Sequence, residues 1–401
     1  MQLIILDQHL LDDSRINRHI NYLKEKEIKI IRINVNRNIC IEKSYTIKNN
    51  DLITYVIGIN EKYGRYNIIH YIINRLIRNN DIYNTIIESL DVSYQNPTIF
   101  HVHDPILLPL AVKISSKFKQ KWLVYDRHEV YEKLNKFHSV LYLPKTGRIG
   151  EILSMNKIDG VVTILEEYRS VVQKYFPHSK IAVIPNFPVF EDYDDKIIIS
   201  KINSFTSATP LQFIYIGSLN WNQDRDLELI IYIAEFLLLK SYNVKFIIGG
   251  YTSDDILLSE FSRLNTAYPN NFIYTGHLPR EKVIKYSQES HFGFFLIKPN
   301  TDYWVLSSPN KVFEYIRCGV IPILRANCAH KELLFDSSVW FDRKDPRESI
   351  LNTIESIISD PNRIQELMRQ SYQLSSQFSF NSVAEEYLKL YALIGAELNS
   401  A

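Results

Sequence analysis

Ser307-Ser308-Pro309-Asn310-Lys311-Val312-Phe313-Glu314-Tyr315-Ile316-Arg317-Cys318-Gly319-Val320-Ile321-Pro322-Ile323-Leu324 is the stretch on which the reading of this chain turns. Pro309 fits the first turn of a helix, where its missing N–H costs nothing. Val312, Phe313 and Ile316 give that helix an apolar stripe. Gly319 suits the left-handed backbone that ends a helix, and residues 320–324 follow as a short buried strand. The helix start offers free N–H groups and the positive end of a dipole, which together make an anion site. Lys311 adds a cation there. Glu314, one turn on, is placed to accept hydrogen bonds from ribose hydroxyls, so the stretch suits a nucleotide.

Around it lie 401 residues, too many for one ordinary core, so two domains are expected. The chain is 46% apolar and 23% charged, as in a water-soluble globular protein, and no apolar run approaches membrane-span length. Met1-Gln2-Leu3-Ile4-Ile5-Leu6-Asp7 lacks a basic start and a small-residue cleavage site, and reads as a strand, not a signal peptide. Cys40, Cys318 and Cys328 show no metal spacing and fit a reducing cytoplasm. Residues 1–190 carry an excess of seven positive charges and the remainder an excess of six negative ones. A basic first half suits an anionic lipid or acceptor, or is a chance distribution on solvated faces. No nucleic-acid motif, internal repeat or low-complexity tract is present.

The pattern predicts strands at 3–6, 28–35, 52–56, 98–102, 122–125, 160–164 and 181–184, with helices at 14–26, 66–78, 107–118 and 166–175 between them. The second half predicts strands at 213–216, 244–248, 271–274, 292–296 and 321–324, with helices at 227–240, 280–289 and 310–317. Such alternation means α/β architecture, with parallel sheets covered on both faces. The expected division is a Rossmann-like domain at 1–190, a polar link at 191–210, a second Rossmann-like domain at 211–378 and a terminal helical segment at 379–401. Two doubly wound domains hold a ligand at their strand C-termini, in the cleft between them.

Candidate chemistry falls at those strand ends. Gly217 lets a ligand approach the backbone, beside Ser218, and Arg225 near the next helix start is within reach of a diphosphate. Gly249, Gly250 and Tyr251 end another strand, and Thr275, Gly276 and His277 a third, with backbone groups able to read a base edge. In the first half, His101, His103 and Asp104 follow one strand, and Asp126, His128 and Glu129 the next. These His–acid pairs suit general-base work, sugar hydroxyl binding or, less well, a metal, since no open three-ligand spacing is evident. Asn186, in Ile184-Pro185-Asn186, is a ligand contact or a turn cap.

These pieces resemble the family-4 retaining glycosyltransferases of the GT-B fold. In order they are Asp13-Ser14-Arg15-Ile16, His101-Val102-His103-Asp104, Tyr125-Asp126-Arg127-His128-Glu129, Ile184-Pro185-Asn186, Tyr215-Ile216-Gly217-Ser218-Leu219, Thr275-Gly276 and the 308–315 segment. The resemblance implies that Glu314 binds the donor ribose and that Arg225, helped by Lys311, grips the donor diphosphate. It places Gly217, Ser218, Ser308, Pro309 and Asn310 beside that diphosphate, and Gly250, Tyr251, Thr275, Gly276 and His277 around the rest of the nucleotide. His103 is implied near the transferred sugar. Asp13, Arg15, Asp104, Asp126, His128, Glu129 and Asn186 are implied on the acceptor side, and the helix at 383–394 crosses back to the first domain.

Two positions depart from the family pattern. Leu306 stands where a first motif glutamate would contact the donor sugar, and Ser218 replaces a basic residue after the loop glycine. The implied activity is transfer of a sugar from a nucleoside-diphosphate sugar to a saccharide or lipid-linked acceptor. It proceeds with retention, needs no metal or cofactor beyond the donor, and takes place in the cytoplasm or at the inner face of the membrane. The faces Tyr66, Ile69, Ile72, Ile73, Leu76 and Val140–Leu143 are candidate lipid contacts. Lys113, Lys117, Lys119 and Lys121 with Phe118 and Trp122 form a candidate basic, aromatic edge. A nucleotide-sugar epimerase and a catalytically silent nucleotide-sugar-binding subunit are the alternatives. Nucleoside diphosphate release with and without acceptor separates all three.

Overall fold

A computed structural model describes residues 1–36, 39, 41–49, 52–58, 81–127, 144–190, 192–221, 224–298, 309–325, 334–342 and 344–395. It divides into two compact units, residues 1–186 with 383–401, and 187–382. The helix expected at 66–78, residues 140–143, Cys40, Cys328, His128, Glu129, Leu306 and Ser308 lie outside the described residues.

The first unit is built on β1 (Gln2–Asp7), β2 (Lys29–Asn36), β3 (Tyr45–Asn49), β4 (Leu52–Gly58), β5 (Thr98–Val102), β6 (Lys121–Arg127), β7 (Gly160–Thr163) and β8 (Lys180–Val183). They form one sheet in the order β3-β4-β2-β1-β5-β6-β7-β8. All of β1 and β5 is buried, which is why both read as unbroken apolar runs and not as alternating ones. β3 is antiparallel to β4 and exposed along its whole length. No strand was expected there, because an edge strand held by one ladder needs no apolar face. From β1 the chain winds outward to β2 and later returns to the other side at β5, so the order reverses between β1 and β5. The loops after those two strands open at the switch point, where such sheets bind ligands.

Local chemistry fixes the helices around this sheet. Asp13 caps the Ser14–Lys24 helix by accepting from the Arg15 and Ile16 N–H groups, and Ile16, Ile20 and Leu23 face inward. The helix stops short of 26, and Glu27 takes a left-handed conformation. Residues 105–107 form a 3-10 turn ahead of the Leu108–Ser115 helix. Phe118 is buried, edge-on to Phe100 and Tyr94, so the expected aromatic edge at 113–122 loses that ring to the core. The Glu385–Leu393 helix belongs to this unit and packs on β8, with Leu390 lying over Gly160.

The second unit holds β9 (Leu211–Ile216), β10 (Val244–Gly249), β11 (Phe272–Tyr274), β12 (Phe292–Phe295), β13 (Ile321–Arg325) and β14 (Val339–Phe341). The sheet is parallel, in the order β11-β10-β9-β12-β13-β14, with its switch point between β9 and β12. Phe213 pairs in register with Phe246 and Phe292, and the three rings stack 4.8–4.9 Å apart across the strands. That aromatic ladder anchors the core. The 191–210 stretch, read as a polar link, carries the Asp195–Asn203 helix, with Ile198 and Ile202 buried. Its Lys201 donates to the carbonyls of Ser290 and Cys318, the latter at the end of the helix that opened the sequence reading. Among the described residues no helix is long and apolar enough to cross a membrane.

Candidate functional site

The Asn310–Arg317 helix forms at the expected residues and buries Val312, Phe313, Tyr315 and Ile316. Gly293 in β12 makes room for it: a Cβ there would stand 2.5 Å from the Tyr315 ring. At its far end Gly319 has φ +62° and the Val320 N–H reaches back to the Tyr315 carbonyl, the left-handed stop the sequence indicated. At its near end Pro309 is the N-cap and supplies no side-chain hydrogen bond, and an uncapped helix start presents N–H groups and the positive end of a dipole. The Oδ1 of Asn310 is buried with no hydrogen-bond partner among the described residues.

Three strand ends close around that helix start. The Gly217 N–H donates to the Gly249 carbonyl and the Gly250 N–H to the Gly276 carbonyl, which ties the turns after β9, β10 and β11 together. Lys311 lies under the first of these turns, and a Cβ on Gly217 would come within 2.9 Å of its Nζ. The ammonium also sits 5.5 Å from the centroid of the Tyr215 ring, whose hydroxyl donates to the Ser218 carbonyl. Burial pushes the Lys311 pKa down to about 8; the Glu314 carboxylate opposes that shift and the Arg225 charge adds to it. Arg225 bridges to Ile297 through its backbone, across the switch point, and its guanidinium lies 4.8 Å from the Phe295 ring and 3.4 Å from Asp224. Gly217, Arg225, Lys311 and Glu314 are therefore one constellation. Ser218 and His277 are exposed at its margin, and Tyr251 offers a ring that is 74% exposed. Thr275 is turned to backbone, its hydroxyl donating to the Ile248 and Gly276 carbonyls.

Sequence reasoning missed Arg280. Its Nη1 lies 3.5 Å from Glu314 Oε1 and its Nε 3.3 Å from Asp192, so the ribose candidate already has a cationic neighbour. Only its place at the start of the helix after the Thr275–His277 loop would have pointed to it.

In the first unit the acceptor-side candidates are engaged with one another. Arg15 donates to both oxygens of Asp126, at 2.7 and 3.4 Å, and both side chains are buried. Asp13 is a helix cap, and Asn186 accepts from Arg18. His103 has no exposed surface and stands 3.4 Å from Asp126. At the switch point is His9, another residue the motifs did not mark, although it is the second residue past β1. Its Nε2 lies 3.3 Å from Asp104 and its Nδ1 3.7 Å from Asp13. Burial alone would lower its pKa, but Asp104, Asp13 and Asp7 overcome that and hold it at about 9. A raised pKa means this pairing supports the loop fully below about 6.5 and loses its contribution as pH climbs through about 9. A proton NMR titration of His9 should therefore show a midpoint well above that of an ordinary histidine. In Asp104→Asn it should drop back towards 6.5.

Two parallel doubly wound sheets, with a terminal helix returning to the first, define the GT-B fold. Solved structures match it across nearly the whole chain. Sucrose-phosphate synthase from Thermosynechococcus elongatus aligns with a TM-score of 0.71 at 11% identity, covering 99% of this chain and 100% of that one. The α,α-trehalose 6-phosphate synthase from Burkholderia multivorans gives 0.72 at 12% identity, covering 98% and 97%. A trehalose-6-phosphate structure from E. coli bound with UDP-2-fluoro glucose gives 0.69 at 14% identity, covering 97% and 98%. No family model and no curated protein matches the sequence.

Proposed function

We propose that this chain is a glycosyltransferase that moves a sugar, with retention, from a nucleoside-diphosphate sugar to a saccharide or lipid-linked acceptor in the synthesis of a surface polysaccharide or glycolipid. The observation that carries the reading is the uncapped start of the Asn310–Arg317 helix, with Lys311 drawn beneath the Gly217 turn and Glu314 one turn behind. The donor diphosphate sits against the first-turn N–H groups, held by Lys311 and Arg225. As the glycosidic bond breaks, negative charge grows on the leaving phosphate. These fixed cations and dipoles stabilise that charge more in the transition state than in the ground state. Glu314 takes the ribose hydroxyls, and the exposed Tyr251 ring and His277 border the base. The likeness to a structure bound with UDP-2-fluoro glucose supports a nucleotide-sugar donor.

In the first unit, Arg15, Asp126 and the helix cap Asp13 act by fixing the strand-end loops that receive the acceptor. His9 and Asp104 stand at the switch point, where the incoming hydroxyl is bound. Ile152 and Leu153, 54% and 63% exposed on the Pro144–Ser154 helix, support docking on a lipid surface from the cytoplasmic side.

The test is incubation with a panel of nucleoside-diphosphate sugars, reading nucleoside diphosphate release with and without acceptor sugars. Acceptor-dependent release is expected. Conversion of the donor without acceptor would instead show an epimerase, and binding without turnover a silent subunit. Glu314→Ala should weaken donor binding by about 1.5 kcal/mol, roughly tenfold, because it removes a charged hydrogen-bond acceptor. Unchanged donor affinity in that variant would remove the ribose assignment.

A further inference from the structure

The first unit encloses a second constellation. His19 on the Ser14–Lys24 helix, His101 in β5 and His103 just beyond it come together with no exposed surface. One nitrogen from each ring lies within 4.8 Å of the others. The Tyr391 hydroxyl sits 3.0 Å from His19 Nε2 and 2.9 Å from His101 Nδ1, so one nitrogen of each ring is held from the C-terminal helix. The opposite nitrogens, His19 Nδ1 and His101 Nε2, are buried and have no hydrogen-bond partner among the described residues. A buried polar atom left in that state is destabilising unless something takes it up. An imidazole pinned at one nitrogen and open at the other is how metal-ligating histidines are held.

Asp126 completes the set. Its Oδ2 lies 3.4 Å from His103 Nδ1 and 3.7 Å from His101 Nε2 and accepts long bonds, each 3.4 Å, from Arg15 Nε and the Tyr387 hydroxyl, while its Oδ1 accepts the short one from Arg15 at 2.7 Å. Zinc bonds of about 2.0–2.1 Å in tetrahedral geometry put neighbouring ligand atoms roughly 3.3 Å apart, so the carboxylate stands near that spacing while the imidazoles, up to 4.8 Å from one another, close further on the ion. Tyr387 stacks on His19 at 3.9 Å and its hydroxyl approaches Asp126 at 3.4 Å, which walls the cluster against water.

We propose that His19, His101, His103 and Asp126 bind one divalent ion of the zinc class, and that Tyr391 and Tyr387 orient its ligands. Three imidazoles and one carboxylate are a donor set for zinc or cobalt, not for magnesium or calcium. The ion ties a helix and two strands of the first unit together beneath the C-terminal helix, which is a structural role. The sequence concealed the set because its ligands come from positions 19, 101, 103 and 126, with no short metal spacing.

The test is metal content of the full-length chain, purified from zinc-supplemented growth, together with uptake of cobalt after chelator dialysis. About one ion per chain is expected, with the intense visible absorption of four-coordinate cobalt and a melting temperature that rises on adding zinc. His19→Gln and His101→Gln should each lose the ion and the zinc-dependent shift, whereas His178→Ala, on the exposed surface, should keep both. If one histidine variant does not fold, the other variant and the wild-type cobalt spectrum still decide. A wild-type chain that carries no zinc and takes up no cobalt would overturn the proposal. So would uptake that survives the His19 and His101 substitutions.

Discussion

Lys311→Ala should weaken nucleoside-diphosphate binding by roughly 1.5–3 kcal/mol, on the order of tenfold to a hundredfold in Kd, without weakening the fold. The ammonium is placed under the Gly217 turn, where burial has already depressed its pKa to about 8. A cation whose native pKa lies below its unfolded value costs stability wherever it is protonated, so below about pH 8 the fold gives something up to hold it. Removing it therefore leaves the unfolding midpoint level or slightly raised, while the diphosphate loses a charge-assisted partner. The same reasoning fixes the pH dependence. Donor affinity in the wild type should hold steady below about pH 8 and fall as pH rises through that value, and the fall should vanish in the variant. Calorimetric titration of a nucleoside diphosphate across pH 6.5–9.5, alongside urea unfolding of both chains, measures the two effects separately. A variant that lost stability and affinity together would make Lys311 a packing residue.

Gly250→Ala should act in the opposite way, mainly on the fold of the second unit. Gly250 has φ +144°, and a Cβ there would stand 2.0 Å from the Gly217 carbonyl oxygen. That oxygen is backbone, held in a turn that is itself tied to β10, so it has little freedom to move away. Strain and overlap together should cost roughly 2–5 kcal/mol, and the turns that frame the anion site should come apart. Gly217→Ala provides the contrast. Its Cβ would crowd the end of the Lys311 side chain, which can swing aside, and meet the Tyr215 hydroxyl at an ordinary 3.5 Å, so stability should change little and donor affinity should fall. Unfolding midpoints of the two variants that proved equal would contradict this assignment of the glycines.

How much of this was visible beforehand depended on where each signal lies along the chain. The Asn310–Arg317 helix, its apolar stripe, its stop at Gly319 and the buried strand after it are all local, and each appears at the indicated residues. The Phe-rich strands of the second unit read clearly because a strand buried on both faces is one apolar run. β3 was missed because an exposed edge strand carries no such run. The helix inside 191–210 was missed because it is short and buries only Ile198 and Ile202, while Ile197 and Ile199 stay exposed and blur its apolar stripe. Site residues followed the same division. Gly217, Lys311 and Glu314 were legible as motif positions. Arg280 and His9 have partners 34 and 95 positions away, Glu314 and Asp104, which their local surroundings do not reveal. Asp126 was found at its strand end, but its pairing with Arg15, 111 positions away, belongs to the fold alone.

A diphosphate seated at the start of the Asn310–Arg317 helix is the central requirement for transfer, and a structure determined with a bound nucleoside diphosphate tests it most directly. The phosphate oxygens are predicted within hydrogen-bond distance of the first-turn N–H groups and of Lys311 Nζ. The ribose hydroxyls are predicted on Glu314, with Arg280 displaced or shared. A nucleotide bound elsewhere, with Lys311 still closed beneath Gly217 and Glu314 still held by Arg280, would contradict it.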